Sequence, residues 1–155
     1  MPLADRSFDA LFCNDSINHL PRRLDVLRDW HRVLRPGGRL VFTDPIVVTG
    51  QLTNEEIRSR SSIGFFLFTP VGCNERLLAE CGFHVEEVRD VTEAVATVAE
   101  RWRSARAERQ RALVDLEGRE TFDGVQRFLD TVHVLATERR LSRYMYVAAR
   151  GSTPA

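Results

Sequence analysis

Phe8-Asp9-Ala10-Leu11-Phe12-Cys13-Asn14, then Leu24, Leu27, His31 and Leu34 at helical spacing, then Arg35-Pro36-Gly37-Gly38 and Arg39-Leu40-Val41-Phe42-Thr43-Asp44 form the stretch that decides the fold. The first run is short, apolar and aromatic, and it breaks into the polar Asn14-Asp15-Ser16. That is the pattern of a buried strand with polar groups at its carboxyl end. Pro21 suits the first turn of a helix. Pro36 cannot continue one, and Gly37-Gly38 tolerate the positive φ that ends it. The second apolar run again ends in a carboxylate, Asp44. Strand, amphipathic helix and strand joined by short links make a βαβ unit, so the expected fold is α/β with parallel strands.

Downstream of this unit the periodicity predicts further elements. Thr53-Asn54-Glu55-Glu56 has capping-box spacing and starts a short polar helix. That helix fades into the aromatic loop Gly64-Phe65-Phe66-Leu67-Phe68-Thr69-Pro70, a candidate lid over a sheet end. Asn74 is placed to cap a helix from Glu75 to Cys81, which Gly82 ends before an alternating strand, His84 to Val88. From Thr92 the period becomes helical, with Val95, Val98, Ala99, Trp102, Arg106, Arg109, Leu113 and Leu116 on one long face. Gly118 punctuates it, Phe122, Val125, Leu129, Val132 and Ala136 mark a second helix, and Ser142 to Ala149 reads as a closing strand. A frayed tail is expected from Gly151 to Ala155. With no repeat or linker in its 155 residues, the chain is expected to form one domain, 1–155.

Composition narrows the chemistry. The 22 basic residues balance the 22 acidic ones, so no summed field is available to attract nucleic acid or an anionic membrane. Every basic residue is Arg, which excludes Schiff-base chemistry and the lysine-dependent phosphate loop. Cys13, Cys73 and Cys81 show no CxxC spacing and suit neither a disulfide framework nor a zinc site. The four histidines are too scattered for a metal motif. No apolar run is long enough to span a membrane and no signal-peptide pattern opens the chain, so a cytoplasmic location is expected.

Phe8-Asp9-Ala10, Asn14-Asp15, His19-Leu20, the run Arg32-Val33-Leu34-Arg35-Pro36-Gly37-Gly38-Arg39-Leu40 and Thr43-Asp44, in this order and spacing, resemble the class I S-adenosylmethionine-dependent methyltransferases, in their small-molecule branch. Gly82-Phe83 before the strand at His84 is similar to the same family's pattern. The resemblance implies a Rossmann-like half-sheet of about four mixed strands, ordered Phe8–Asn14, Leu40–Asp44, the final strand, His84–Val88. It also implies a two-helix lid insertion over about 92–141, S-adenosylmethionine as cofactor and a small metabolite as methyl acceptor. The family's glycine-rich turn after a first strand and its ribose- and adenine-contacting acids have no counterpart here. The chain is therefore expected to correspond to the carboxyl-terminal half of that fold, with cofactor binding by this chain alone in question. The strand Phe8–Asn14 would then be an uncovered apolar edge, which predicts a homodimer or a complementing amino-terminal partner. The alternative is a non-catalytic module of the same fold that dimerises or holds a ligand. A nicotinamide dehydrogenase is disfavoured, because no G-x-G-x-x-G follows a strand.

Cys13, Asn14 and Asp15 are the cofactor-binding residues the resemblance implies, the amide and carboxylate being suited to an ammonium group; capping of the loop before Pro21 explains Asn14 and Asp15 structurally. The Cys13 thiol itself reads as a small hydrophobe rather than a nucleophile. His19 resembles the catalytic or positioning histidine of some phosphoethanolamine-type and related enzymes, since an imidazole can take a hydroxyl proton, and it is equally explained as a hydrogen-bonded loop histidine. Asp44 is a candidate substrate ligand because ligands of α/β sheets gather outside strand carboxyl ends, and it is equally explained as a turn residue. Trp102 and Arg106, one helical turn apart, are candidates for a substrate wall that holds an anion, or for simple packing. His31, on an apolar helix face, reads as a core histidine.

Overall fold

The computed structural model describes residues 2–151. Strand β1 (Phe8–Cys13) leads through a 3-10 turn at Ile17–His19 into α1 (Arg23–Val33) and the long β2 (Leu34–Val48). Helix α2 (Asn54–Arg60), the two-residue β3 (Thr69–Pro70), α3 (Cys73–Glu80) and β4 (Phe83–Asp90) follow. Three helices, α4 (Thr92–Glu108), α5 (Gln110–Glu117) and α6 (Arg119–Thr137), precede the last strand β5 (Leu141–Arg150). The sheet order is β1-β2-β5-β4, with β3 beside the far end of β2. β1 runs parallel to β2, whereas β5 is antiparallel to both β2 and β4. The α/β reading and the four-strand order of the sequence hold.

One sheet face is closed by α1 and α3. Leu27, Trp30, Leu40, Phe42, Leu78, Phe83 and Tyr146 form a continuous cluster there. Its centre is a cross-strand aromatic pair: Phe42 opposes Tyr146 in the β2–β5 register, and their rings stack 4.8 Å apart. Burial pushes the Tyr146 phenol far up from its ordinary pKa, so it stays neutral within that stack. Arg150 locks α1 to the sheet by donating from Nη1 to the carbonyls of His31 at 2.7 Å and Leu34 at 2.5 Å, groups that a helix end leaves unpaired. His31 meets Phe83 edge-on at 5.2 Å, and burial lowers its pKa, as suits a core histidine.

Three details depart from the sequence reading. β1 is not a buried strand: Leu11 and Cys13 pack on the core, but Phe12, on the opposite face, is 73% exposed, because no described element covers that face or the outer edge. The long helical face from Val95 to Leu116 breaks at Arg109, so the region holds three helices rather than two. Leu116 is left exposed on the short middle one. Asn74 is no cap. Gly72, at φ +79°, starts α3, and Asn74 turns inward instead. The expected fray at Gly151 to Ala155 lies, beyond Gly151, outside the described residues. The Thr53 capping box forms as expected: Thr53 Oγ1 accepts from the Glu56 amide at 3.2 Å, and Glu56 Oε2 accepts from the Thr53 amide at 2.8 Å.

Candidate functional site

The site is organised at the carboxyl ends of β1 and β2, where β5 begins alongside them. Asp15 leaves β1 with φ +51°, a left-handed conformation that a non-glycine residue holds only when its surroundings fix it. Three hydrogen bonds from two residues fix it. The Asp15 amide donates to Thr43 Oγ1 at 3.0 Å, the Thr43 hydroxyl gives its single proton to Asp15 Oδ1 at 2.6 Å, and Arg143 Nε donates to the same carboxylate oxygen at 2.9 Å. Arg143 Nη2 also donates to Asn14 Oδ1 at 2.7 Å. One guanidinium from β5 thus clamps the amide and carboxylate that follow β1. Charge-assisted bonds of this kind are roughly twice as strong as neutral ones.

Beside this clamp the 3-10 turn presents His19. Its Nδ1 lies 2.7 Å from the Phe65 carbonyl oxygen, which only accepts, so the proton sits on Nδ1. Nε2 therefore carries the lone pair, and Asn18 Nδ2 donates to it at 3.3 Å. The ring rests 4.7 Å from Phe66. The aromatic loop thus packs on His19 and fixes its tautomer through Phe65.

His19 opens into a cavity of about 440 Å³. Asp15, Asn18, Pro45 and Arg143 line its floor, and α4 and α6 contribute an apolar wall that includes Val95, Ala99, Phe128 and Leu129. Pro45 reaches this floor because the β2–β5 register slips between Asp44 and Val47, the kind of bulge where a strand tolerates proline. Trp102 stands at the rim, 64% exposed.

The remaining wall carries Arg60, the last residue of α2. It is 6% exposed, its guanidinium carbon lies 4.7 Å from the Phe66 ring and 5.1 Å from that of Phe128, and it makes no hydrogen bond or ion pair to any described residue. Burial lowers its pKa to about 10, which leaves it charged at neutral pH. Two cation–π contacts of roughly 1–2 kcal/mol each offset only part of a desolvation cost of order several kcal/mol.

The residues singled out from sequence divide accordingly. His19 and Asp15 line the cavity, Asn14 joins the clamp and Trp102 sits at the rim. Cys13 turns its side chain toward the core cluster. Asp44 does not face the crevice: it is fully buried, and its Oδ2 accepts from Arg23 Nη1 at 2.7 Å and from Asn74 Nδ2 at 3.0 Å. Arg106 is likewise outside the cavity, ion-paired to Glu117 and held 5.3 Å from the Phe122 ring. Sequence reasoning missed Thr43 as a polar hub, and it missed Arg60 and Arg143. Arg143 stands at the polar start of a strand, and Arg60 ends a helix whose exposed face is charged, so no local signal separated either from 20 other arginines.

Known proteins place this arrangement. A family model described as a methyltransferase domain matches residues 1–42. Methyltransferase GfsG of Streptomyces halstedii is 36% identical over 99 residues, and 27-O-demethylrifamycin SV methyltransferase of Amycolatopsis mediterranei is 34% identical over 96. Over these matched residues the chain is similar to methyltransferases. Those two matches take in 60% of this chain, and the chain spans about a third of each relative's length, 34% and 35%. The methyltransferase fold extends beyond the matched sequence. A phosphoethanolamine N-methyltransferase of Haemonchus contortus, solved with phosphomonomethylethanolamine and S-adenosylhomocysteine, superposes with a TM-score of 0.84 at 18% identity. That superposition covers 96% of this chain and 35% of the other.

The residues present fit one end of the family cofactor. Asn14 Oδ1 and the Asp15 carboxylate are acceptors with lone pairs to spare, suited to the ammonium of its methionine portion. No glycine turn follows β1, and no second strand-end acid for a ribose stands beside it among the described residues. Nor is there any cluster of three metal-ligating side chains, or a helix long and apolar enough to cross a membrane, among those residues.

Proposed function

We propose that this chain provides the acceptor-facing part of a methyltransferase site, in which a methyl group passes from S-adenosylmethionine to a nucleophilic atom of a small metabolite held in the cavity. The observation that carries the proposal is the juxtaposition of the Asn14–Asp15–Arg143 clamp with the His19 imidazole at the mouth of one open, largely apolar cavity.

S-adenosylmethionine supplies an electrophilic methyl group on a sulfonium. Asn14 and Asp15 receive the ammonium of its methionine end, and Arg143 and Thr43 hold both acceptors still, so little ordering is left for the moment of reaction. The apolar residues of α4 and α6 exclude water from the acceptor and serve as its lid. His19 Nε2 takes the proton that the acceptor atom releases once the acceptor displaces the 3.3 Å hydrogen bond from Asn18 Nδ2, while the Nδ1–H bond to Phe65 keeps the ring aimed. The open β1 edge supports a further part of this reading: a second copy or a complementing strand pairs there, within the cytoplasm.

Methyl-labelled S-adenosylmethionine incubated with the protein and a panel of small hydroxyl and amine acceptors tests the proposal by label transfer. His19→Ala is expected to slow transfer by about 10²–10⁴-fold and to leave acceptor affinity nearly unchanged. Undiminished transfer in that variant removes His19 from the reaction, and no transfer to any acceptor removes the enzymatic reading.

A further inference from the structure

The charges around the cavity do not balance. Its lining holds one carboxylate, Asp15, and two guanidiniums, Arg60 and Arg143. Asp15 and Arg143 pair at 2.9 Å and cancel, which leaves the positive charge of Arg60 uncompensated. Arg60 Nη1 is buried and has no hydrogen-bond partner. A guanidinium presents five donors in a planar fork, and the faces of Phe66 and Phe128 satisfy none of them as an acceptor would. Many surface arginines pair with a carboxylate, as Arg140 does with Glu56 at 2.6 Å, and those that do not stand in solvent rather than between aromatic rings. Arg60 has aromatic walls and open cavity instead.

We propose that Arg60 is the seat for an oxyanion group on the methyl acceptor, a carboxylate or a phosphate monoester. The inference rests on the methyltransferase reading and narrows it to acidic acceptors. Arg60 Cζ and the His19 ring each lie 4.7 Å from the Phe66 ring, so the guanidinium and the imidazole are no further apart than twice that distance. A compact acceptor can rest its oxyanion on Arg60 and bring its nucleophilic atom to His19 Nε2. The methionine carboxylate of the cofactor is the competing occupant. It is the less favoured one, because the clamp suited to the methionine end stands on the strand-end floor whereas Arg60 stands on the α2 wall.

Side-chain nitrogen NMR of the arginine Nε–H groups tests this directly, with the Arg60 signal assigned by its loss in Arg60→Gln. The probes are isovalerate, its neutral isostere isovaleramide, and methyl phosphate. A saturable shift of the Arg60 signal is expected with isovalerate or methyl phosphate at concentrations at least tenfold below any response to isovaleramide, and the more effective anion names the acceptor's group. Calorimetric binding of that anion should fall at least tenfold in Arg60→Gln and partly survive in Arg60→Lys, while the melting temperature of Arg60→Gln is unchanged or higher because an unpaired buried charge is gone. Equal responses to acid and amide, undiminished anion binding in Arg60→Gln, or a variant that melts early or fails to fold would each overturn the proposal. So would displacement of the anion by S-adenosylhomocysteine, which would assign Arg60 to the cofactor. Binding of S-adenosylhomocysteine without an Arg60 response to anions defeats this inference alone; anion binding with no affinity for S-adenosylhomocysteine defeats the methyltransferase reading instead.

Discussion

Arg143 Nε, on the last strand, lies 2.9 Å from Asp15 Oδ1, 128 positions earlier in the chain. The contact ties the segment after β1 to β5, two strands that are not neighbours in the sheet and are bridged through Thr43 on the β2 between them. The left-handed turn at Asp15 is therefore held by groups from two other strands, β2 and β5, rather than by its own sequence.

Thr43 is the centre of that arrangement, so Thr43→Val, which keeps the shape and removes the hydroxyl, should release the Asp15 amide. Hydrogen exchange at that amide is expected to accelerate by about fivefold, corresponding to one net hydrogen bond of roughly 1 kcal/mol, with exchange in the Phe42–Tyr146 core unchanged. An Asp15 amide equally protected in the variant would show that Thr43 does not hold the turn.

Asp44 has the opposite character. Its carboxylate is buried between Arg23 and Asn74, whose amide oxygen accepts from Arg23 Nη1 at 2.6 Å, and its Oδ1 accepts from the Ile46 amide at 3.3 Å. Asp44→Ala strands a buried guanidinium and is expected to lower unfolding stability by about 3–5 kcal/mol in a denaturant titration. A loss below about 1 kcal/mol would place solvent or another acceptor beside Arg23.

Glu56 gives the protein an acid-sensitive joint. Hydrogen bonds from Arg140, at 2.6 and 2.8 Å, and from the Thr53 amide lower its pKa from 4.5 to about 2. A carboxylate depressed in the folded state contributes stability that is fully present above its unfolded value and is lost as pH falls toward its folded one. The window is about pH 4.5 down to about pH 2. Glu56→Gln should show a shallower fall of melting temperature across that window than the wild type, and parallel curves would show that this contact does not set the acid response.

The apolar β1 face predicts association. Phe12 is largely exposed on an edge strand, and Phe8 is partly so. Light scattering at micromolar concentration is expected to report a species larger than one chain, and Phe12→Lys is expected to return it toward a single chain. A monomer in both cases would contradict edge pairing.

Much of the sheet was legible because strand and helix periods are local. The run from Phe8 to Asp44 carries the whole βαβ unit, and the family likeness ordered the remaining strands. The break at Arg109 was not legible, since the apolar spacing from Val95 to Leu116 runs through it. The site was legible only where polar residues follow a strand: Asn14, Asp15 and His19 fall there. Asp44 met the same rule, yet the register slip at Pro45 and the arginine of α1 draw it into the core. Arg60 and Arg143 act through contacts made only in three dimensions, with Phe66 and Phe128 for one and with Asp15 for the other.

The claim that this chain builds the methionine-facing and acceptor-facing parts of a methyl-transfer site is tested most directly by calorimetric titration with S-adenosylhomocysteine. Heat that saturates with a dissociation constant below about 1 mM, roughly −4 kcal/mol, and that weakens in Asp15→Ala is the predicted result. The absence of any saturable heat, or binding indifferent to Asp15→Ala, would contradict the account.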